Sequence, residues 1–275
     1  MPDPTFLVIG AQKCGTSWLE HMLRQHPDIF APKAKELRFF TRKYDKGLDW
    51  YRDQFAAHSG EKEIGEFTPN YLWSCSNEQE IKELKLHTNI YEMVHGHYPD
   101  LKLIVALRDP VQRAISAYYH FIRSRKIAPN SQIMDVGHTN GILTMGFYAQ
   151  QIRNWLRFFA PEQFLFLIYE DDIVQNKEKT LKRIFQFLEV DDTFQPANME
   201  KKYNARSGNS YLYLNYYFPK VAPTLGRISL IKQANFPKIE VSGADIEVLS
   251  ELYRQKNEGL ADVIGRVLPW PIVNS

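Results

Sequence analysis

Residues 10–17 read Gly-Ala-Gln-Lys-Cys-Gly-Thr-Ser and join a short apolar run to a stretch of helical periodicity. Backbone N–H groups at such a junction have no partner within the helix, and the helix dipole adds partial positive charge, so anion binding is favoured there. Lys13, Thr16 and Ser17 add a cation and two hydroxyls to that cradle. A second group with similar chemistry follows the clearest strand signal of the chain, Leu101 to Leu107. Arg108 stands at its end, and Ser116 lies two turns along the next helix, off the stripe formed by Val111, Ala114, Ile115, Tyr118 and Ile122. A guanidinium and a hydroxyl together clamp a phosphate through directed hydrogen bonds.

The first group comes close to the triphosphate-gripping pattern G-x-x-x-x-G-K-[ST] and departs from it at one place. Thr16 occupies the position of the pattern's lysine, whereas the lysine of this chain comes earlier, at Lys13. A lysine placed for a triphosphate is therefore missing, and the second junction offers a site for a second phosphate.

The elements that must position these residues alternate. A strand over Thr5 to Ile9 leads into a helix carrying Trp18, Leu19, Met22 and Leu23, which ends near His26-Pro27. A second strand is predicted over Glu63 to Glu66, before the turn Thr68-Pro69-Asn70-Tyr71. Asp109-Pro110-Val111-Gln112 supplies an N-cap, a Pro at the first helical position and a Gln at the third, so a helix from Pro110 to about Arg123 follows the strand over Leu101 to Leu107. Helices over Gly146 to Phe159 and Lys177 to Leu188 flank a buried strand over Phe164 to Tyr169. Ala197 to Lys238 fits neither period, and Ser242 to about Arg266 reads as a closing helix. With no repeat and no linker, the expectation is α/β: residues 1–275 as a single domain, a P-loop-like parallel sheet flanked by helices.

Composition narrows the partners. Lys plus Arg number 34 against 32 Asp plus Glu, which excludes an acidic tail or a strongly basic nucleic-acid arm. The two cysteines, Cys14 and Cys75, build no disulfide framework and are expected to be free thiols in a reducing compartment. The amino-terminal apolar stretch is too short for a signal peptide or a spanning helix, so the expectation is a cytoplasmic protein without membrane or nucleic-acid partners. The aromatic share, 13% of the chain, is high enough that some rings are expected to line a pocket.

Lys13-Cys14-Gly15-Thr16-Ser17-Trp18-Leu19 resembles the 5′-phosphosulfate loop of sulfotransferases that use 3′-phosphoadenosine 5′-phosphosulfate (PAPS). Leu107-Arg108-Asp109-Pro110 through Ser116-Ala117-Tyr118-Tyr119 resembles their 3′-phosphate motif. The two stand in the family's order, each after a strand and before a helix, and the region from Gly146, Tyr148 and Trp155 to Phe164–Tyr169 extends the similarity over much of the chain. The resemblance implies a sulfotransferase fold and an in-line sulfuryl transfer that leaves 3′,5′-diphosphoadenosine and needs no metal. It further implies that Lys13 contacts the bridging and leaving oxygens, and that Gly15, Thr16 and Ser17, with Cys14 in the same loop, hold the 5′-phosphate. Arg108 and Ser116 would hold the 3′-phosphate, and Trp18 would stack on adenine unless it is a core residue of its helix.

Ala34-Lys35-Glu36-Leu37-Arg38-Phe39-Phe40 resembles the segment in which heparan-type and many bacterial members carry a catalytic glutamate, which makes Glu36 the expected general base. The plain alternative is an ion pair of Glu36 with Lys33, Lys35 or Arg38. Small-molecule sulfotransferases of animals use a histidine instead, and among the eight histidines His120 lies nearest the 3′-phosphate motif in sequence. His95-Gly96-His97 lacks the spacing of a metal site. Phe67 stands where heparan-type relatives often have a second lysine, so a small, partly apolar acceptor is expected, a metabolite or natural product whose pocket takes Phe67, Tyr71 and Trp73. Arg206, in Asn204-Ala205-Arg206-Ser207, aligns with a further 3′-phosphate loop.

Two rival readings remain open at this point. Phe164 to Asp171 is a hydrophobic strand followed by acids, as in a nucleotide-dependent kinase or NTPase, and Arg123, Arg125 and Lys126 beside Lys33 to Lys43 could serve a polyanion-binding protein. No feature of the sequence sets an oligomeric state.

Overall fold

Phe6–Gly10 (β1), Ile29–Phe30 (β2), Glu63–Phe67 (β3), Lys102–Leu107 (β4) and Phe164–Ile168 (β5) form one sheet in the computed structural model. It describes residues 2–75, 78–84, 86–201, 207–220, 222 and 236–271. The strands are all parallel, in the order β2-β3-β1-β4-β5. A parallel sheet needs crossover connections that cover both faces, which is why β1, β4 and β5 read as apolar runs; β1 and β3 are buried along their whole length.

Helices α1 (Thr16–Leu23), α2 (Gly47–Asp53), α3 (Glu78–Leu84) and α4 (Ile90–His97) lie before β4 in the chain. Between β4 and β5 come α5 (Pro110–Arg123), α6 (Ile133–Val136) and α7 (Tyr148–Leu156). After β5 follow α8 (Lys177–Leu188), α9 (Asn209–Tyr217), α10 (Gly243–Lys256) and α11 (Leu260–Ile264). The α/β parallel sheet is the one the sequence predicts. No helix among the described residues is long and apolar enough to cross a membrane.

Two helices differ from expectation. The helix predicted from Gly146 starts at Tyr148, after a 3₁₀ turn over Thr144–Gly146. The closing helix breaks into α10 and α11 at Asn257, whose buried side chain accepts from the Ala149 N–H (3.2 Å) and donates to the Gly146 carbonyl (2.9 Å), while Gly259 takes a left-handed φ of 70°. The break joins the carboxyl-terminal helices to the start of α7.

Sheet order fixes where ligands belong. From β1 the chain moves to one side, toward β2 and β3, and from β4 to the other, toward β5. That reversal opens a crevice outside the carboxyl ends of β1 and β4, the place where open α/β sheets take their ligands.

Behind the crevice, Asp172 is 4% exposed and holds three groups together. It accepts from the Ile168 N–H (2.6 Å), from Arg183 on α8 (2.8 Å) and from Arg266 after α11 (2.5 Å). Removing the carboxylate leaves two guanidinium groups facing each other without their common partner, so Asp172→Ala is expected to cost about 3–5 kcal/mol. Urea unfolding checks this, as a lowered midpoint at unchanged slope.

Candidate functional site

The loop after β1 is still tied to the sheet as it turns: the Ala11 N–H donates to the Ala106 carbonyl of β4 at 2.7 Å. Lys13 and Gly15 then adopt left-handed conformations, with φ of 71° and 88°. Only glycine suits position 15, because a Cβ there would lie 2.9 Å from Ile173 Cδ1 and 3.0 Å from the Tyr169 ring. Gly15 is also the N-cap of α1 and brings no side chain to the first N–H groups of the helix. Those groups are left for an anion.

Lys13 sits deep in the loop. Burial, then Arg123, Arg108 and Lys35, push its pKa down to about 8. Arg108 lays its guanidinium over the Tyr169 ring at 4.8 Å and reaches the Lys13 carbonyl at 3.5 Å, while its Nε is buried without a hydrogen-bond partner. Among the described residues neither Lys13, Arg108 nor Arg123 has an ion pair. Like charges gathered in a half-dry crevice need a counter-charge. The orphaned Arg108 Nε and the bare helix start therefore fit a phosphorylated ligand.

Helix α5 starts as its sequence predicts, with the Asp109 carboxylate accepting from the Gln112 N–H at 2.9 Å and Pro110 at the first position. Ser116, His120 and Arg123 follow at the spacing that shares one helix face. Ser116 is half-buried. His120 has its pKa lowered to about 4 by burial first and then by Lys13, Arg123, Lys126 and Arg38, so its imidazole is neutral near neutral pH.

The segment 33–38 is drawn to the start of α1 by Lys35, whose ammonium donates to Ser17 Oγ (2.5 Å) and lies 3.5 Å from Glu20. Glu36 is paired with Arg38, as the plain reading of that charge run expects. Both guanidinium contacts, 2.9 Å from Nε and 2.5 Å from Nη2, fall on Glu36 Oε2, which leaves Oε1 outside the pair. Arg38 in turn weighs on His120, so Lys13, His120 and the Glu36–Arg38 pair belong to one electrostatic neighbourhood.

The aromatic residues expected around the acceptor are elsewhere. Phe67 is 1% exposed, edge-on to Phe6 at 6.0 Å. Tyr71 is fully buried, accepting from the Phe39 N–H (2.9 Å) and donating to Glu66 (2.8 Å). Trp73 gives its indole N–H to Thr144 (3.0 Å) within a small cluster with Cys75 and Met145. Rings spent on packing cannot line an open pocket, so that expectation is corrected. Trp18 is likewise buried on the inner face of α1 and donates to the Met199 carbonyl at 2.9 Å. Its packing gives no support to the adenine role. Cys14 and Cys75 are free and buried; burial pushes the Cys14 thiol up to about 11, and its Sγ lies 3.7 Å from the Tyr148 hydroxyl. Cys14 thus offers a ligand its backbone rather than a thiolate. Arg206 lies outside the described residues.

Sequence reasoning did not bring Lys35, Tyr148 and Arg123 to the crevice. Tyr148 donates to the Arg108 carbonyl at 2.9 Å and so braces the second junction. The signal for Arg123 was present, since it continues the polar positions 116 and 120 of α5. The acids after β5 serve the scaffold instead: Glu170 accepts from the Asp109 N–H (3.2 Å) and from the Trp270 indole (3.0 Å).

Residues 3–213 match the family described as sulfotransferase domain. The chain is 30% identical over 97% of its length, and 73% of the relative's, to heparan sulfate glucosamine 3-O-sulfotransferase 6 of Mus musculus. It is 34% identical to heparan sulfate glucosamine 3-O-sulfotransferase 3B1 of Homo sapiens over 67% of this chain and 46% of that protein. Its fold is similar to a crystal structure of a sulfotransferase from Alicyclobacillus acidocaldarius, with a TM-score of 0.71 and 22% identity over 98% of both chains. The kinase and polyanion-binder readings give way: with this match over most of its length, the chain belongs to the sulfotransferase family.

Proposed function

We propose that the chain transfers the sulfuryl group of PAPS to a hydroxyl or amine of an anionic acceptor, with Glu36 as general base. The observation that carries this reading is the convergence of Lys13, Arg108 and Arg123 on one crevice without an ion pair among the described residues. A donor with several phosphate charges compensates all three. Lys13 holds the oxygen that bridges sulfur and the 5′-phosphate, and the backbone of Cys14 and Gly15 with Thr16 and Ser17 holds the 5′-phosphate itself. Arg108 and Ser116 hold the 3′-phosphate, with Arg206 as a further contact.

Glu36 Oε1 takes the acceptor's proton as the new bond to sulfur forms and the bridging O–S bond breaks. The charge that develops on the leaving 3′,5′-diphosphoadenosine falls beside Lys13. Positioning and fixed positive charge do this work without a metal ion.

The acceptor reading shifts with the packing. A small apolar molecule was expected from Phe67, Tyr71 and Trp73, and those rings are core. Lys33, Lys35, Arg38, Arg42 and Lys43 neighbour Glu36 in the sequence, and this basic run favours a small acidic metabolite or an acidic saccharide. The relatives' name, heparan sulfate glucosamine 3-O-sulfotransferase, describes an acceptor of the second kind.

The donor is tested by thermal unfolding. At a hundredfold excess over Kd, 3′,5′-diphosphoadenosine is expected to stabilise the chain by about 2.7 kcal/mol, which raises Tm by roughly 5–10 °C, whereas ATP with Mg²⁺ leaves it unchanged. The reverse pattern overturns the donor. Arg108→Ala is expected to weaken 3′,5′-diphosphoadenosine binding about a hundredfold with a smaller change in kcat, since its contacts are made in ground and transition state alike. Calorimetric titration and steady-state kinetics separate the two. Acceptors are then found by mass spectrometry, as an added sulfuryl group on members of an acidic metabolite and saccharide panel incubated with PAPS.

A further inference from the structure

Glu66, near the carboxyl end of β3, is buried, and its hydrogen bonds lead to the segment that carries Glu36. Its Oε1 accepts from the Thr68 hydroxyl (2.6 Å) and from the Tyr71 hydroxyl (2.8 Å). Each of those hydroxyls accepts in turn from the backbone, Thr68 from the Arg38 N–H (3.3 Å) and Tyr71 from the Phe39 N–H (2.9 Å). A hydroxyl has one proton, so giving it to the carboxylate turns its lone pairs toward these N–H groups. Burial raises the Glu66 pKa, and a proton taken up at Oε2 still leaves Oε1 accepting.

The two N–H groups sit where the chain needs support. Arg38 is left-handed, with φ of 56°, a conformation disfavoured for a residue with a Cβ and kept only where the surroundings hold it. From that turn its guanidinium reaches back to Glu36 Oε2, at 2.9 Å from Nε and 2.5 Å from Nη2. The other side of Glu36 is tied as well, by Lys35 to Ser17 and Glu20 of α1. The turn after β3 is itself fastened to the sheet, since the Leu72 N–H donates to the Ile9 carbonyl of β1 at 2.8 Å. Contacts thus run without a gap from the sheet through Glu66, Thr68 and Tyr71 to Arg38, and on to the Glu36 carboxylate.

We propose that Glu66, Thr68 and Tyr71 form a positioning unit for the general base: they fix the backbone of Arg38 and Phe39, and Arg38 fixes Glu36. The inference rests on the reading of Glu36 as base given above. A reacting group misplaced by about 1 Å loses on the order of a hundredfold in rate. Nucleotide binding by the loop after β1 is left as it was. Tyr51 supplies the comparison: it donates to Glu66 Oε2 at 2.6 Å, and among the described residues its hydroxyl has no bond to residues 33–39.

The test compares the full chain as wild type, Tyr71→Phe, Thr68→Val, Thr68→Ser and Tyr51→Phe. Release of 3′,5′-diphosphoadenosine from saturating PAPS is followed in the presence of the acidic acceptor panel, with calorimetric titration of 3′,5′-diphosphoadenosine and thermal unfolding alongside. Tyr71→Phe and Thr68→Val are each expected to lower turnover about tenfold, with nucleotide affinity within about twofold of wild type. Thr68→Ser keeps the hydroxyl and stays within about threefold of wild-type turnover. Tyr51→Phe is expected to lower Tm as Tyr71→Phe does and to keep its turnover. Added to Glu36→Gln, neither Tyr71→Phe nor Thr68→Val lowers the rate by more than about a further twofold, because both act through the missing carboxylate. If Tyr71→Phe unfolds, Thr68→Val and Thr68→Ser decide between them. Wild-type turnover in Tyr71→Phe and Thr68→Val, an equal loss in Tyr51→Phe, or a full loss on top of Glu36→Gln overturns the inference and leaves the base reading standing. A Glu36→Gln chain as active as wild type overturns the base reading and this inference with it, and a wild type that releases no 3′,5′-diphosphoadenosine overturns the donor reading as well.

Discussion

Lys13→Ala is expected to lower kcat for sulfuryl transfer by about a thousandfold while 3′,5′-diphosphoadenosine still binds, with affinity reduced about tenfold. The asymmetry follows from when charge appears. Before transfer the bridging oxygen carries little charge; as the O–S bond breaks, negative charge grows there, and a cation already in place in a half-dry crevice stabilises it without reorganising. Loss of one such group costs about 10²–10³ in kcat in well-studied acyl-transfer cases. The loop N–H groups, Arg108 and Ser116 continue to hold the nucleotide.

The pH dependence carries the same signature. In the free chain Lys13 loses its proton as pH rises through about 8, a value depressed by burial and by Arg123, Arg108 and Lys35. An anionic donor favours the protonated form and moves that pKa up. Above pH 8, binding must then take up a proton, so kcat/KM for PAPS is expected to fall with rising pH from about 8 and kcat only at higher pH. Lys13→Ala lacks this alkaline limb. Profiles from pH 6 to 10 check it; a limb that survives in Lys13→Ala belongs to another group.

Glu36→Gln is expected to lower kcat by about 10²–10⁴ and leave the affinity for 3′,5′-diphosphoadenosine within about twofold. The amide keeps the shape of the side chain and loses the ability to accept a proton. Because Arg38 holds only Oε2, the substitution removes a charge-assisted pair at a half-exposed position, which costs little stability. Activity and folding are thereby separable in this variant. If Glu36→Gln turns over at the wild-type rate, the proton goes elsewhere, and His120 is the next group to replace. Glu66, by contrast, is 1% exposed and accepts from Tyr51, Thr68 and Tyr71, so its carboxylate is committed to the core.

How much of this was legible in the sequence depended on what kind of signal each part leaves. β4 and β5 were readable because a parallel strand is buried on both faces and shows as an unbroken apolar run. The start of α5 was readable because a cap is a local event: Asp109, Pro110 and Gln112 act within one turn. The two strand-to-helix junctions, β1 to α1 and β4 to α5, were readable for the same reason. β2, two residues long, leaves no periodic trace. The break at Asn257 depended on a side chain reaching residues 146 and 149, far away in sequence. Phe67, Tyr71 and Trp73 were misread because ring chemistry is the same in a core and in a pocket, and only their neighbours decide.

The parallel sheet has two edges with different duties. At its carboxyl edge lie Lys13, Arg108 and Glu66 with the turns that carry Glu36 and Tyr169. At its amino edge lie Asp3 with Arg52 at 2.7 Å and Tyr98 at 3.0 Å, and Lys102 with Glu63 at 3.0 Å and Glu189 at 3.1 Å. Substitutions that retune substrate choice and substitutions that secure folding thus fall at opposite ends of the same strands. An engineer can diversify one end as a library while holding the other constant.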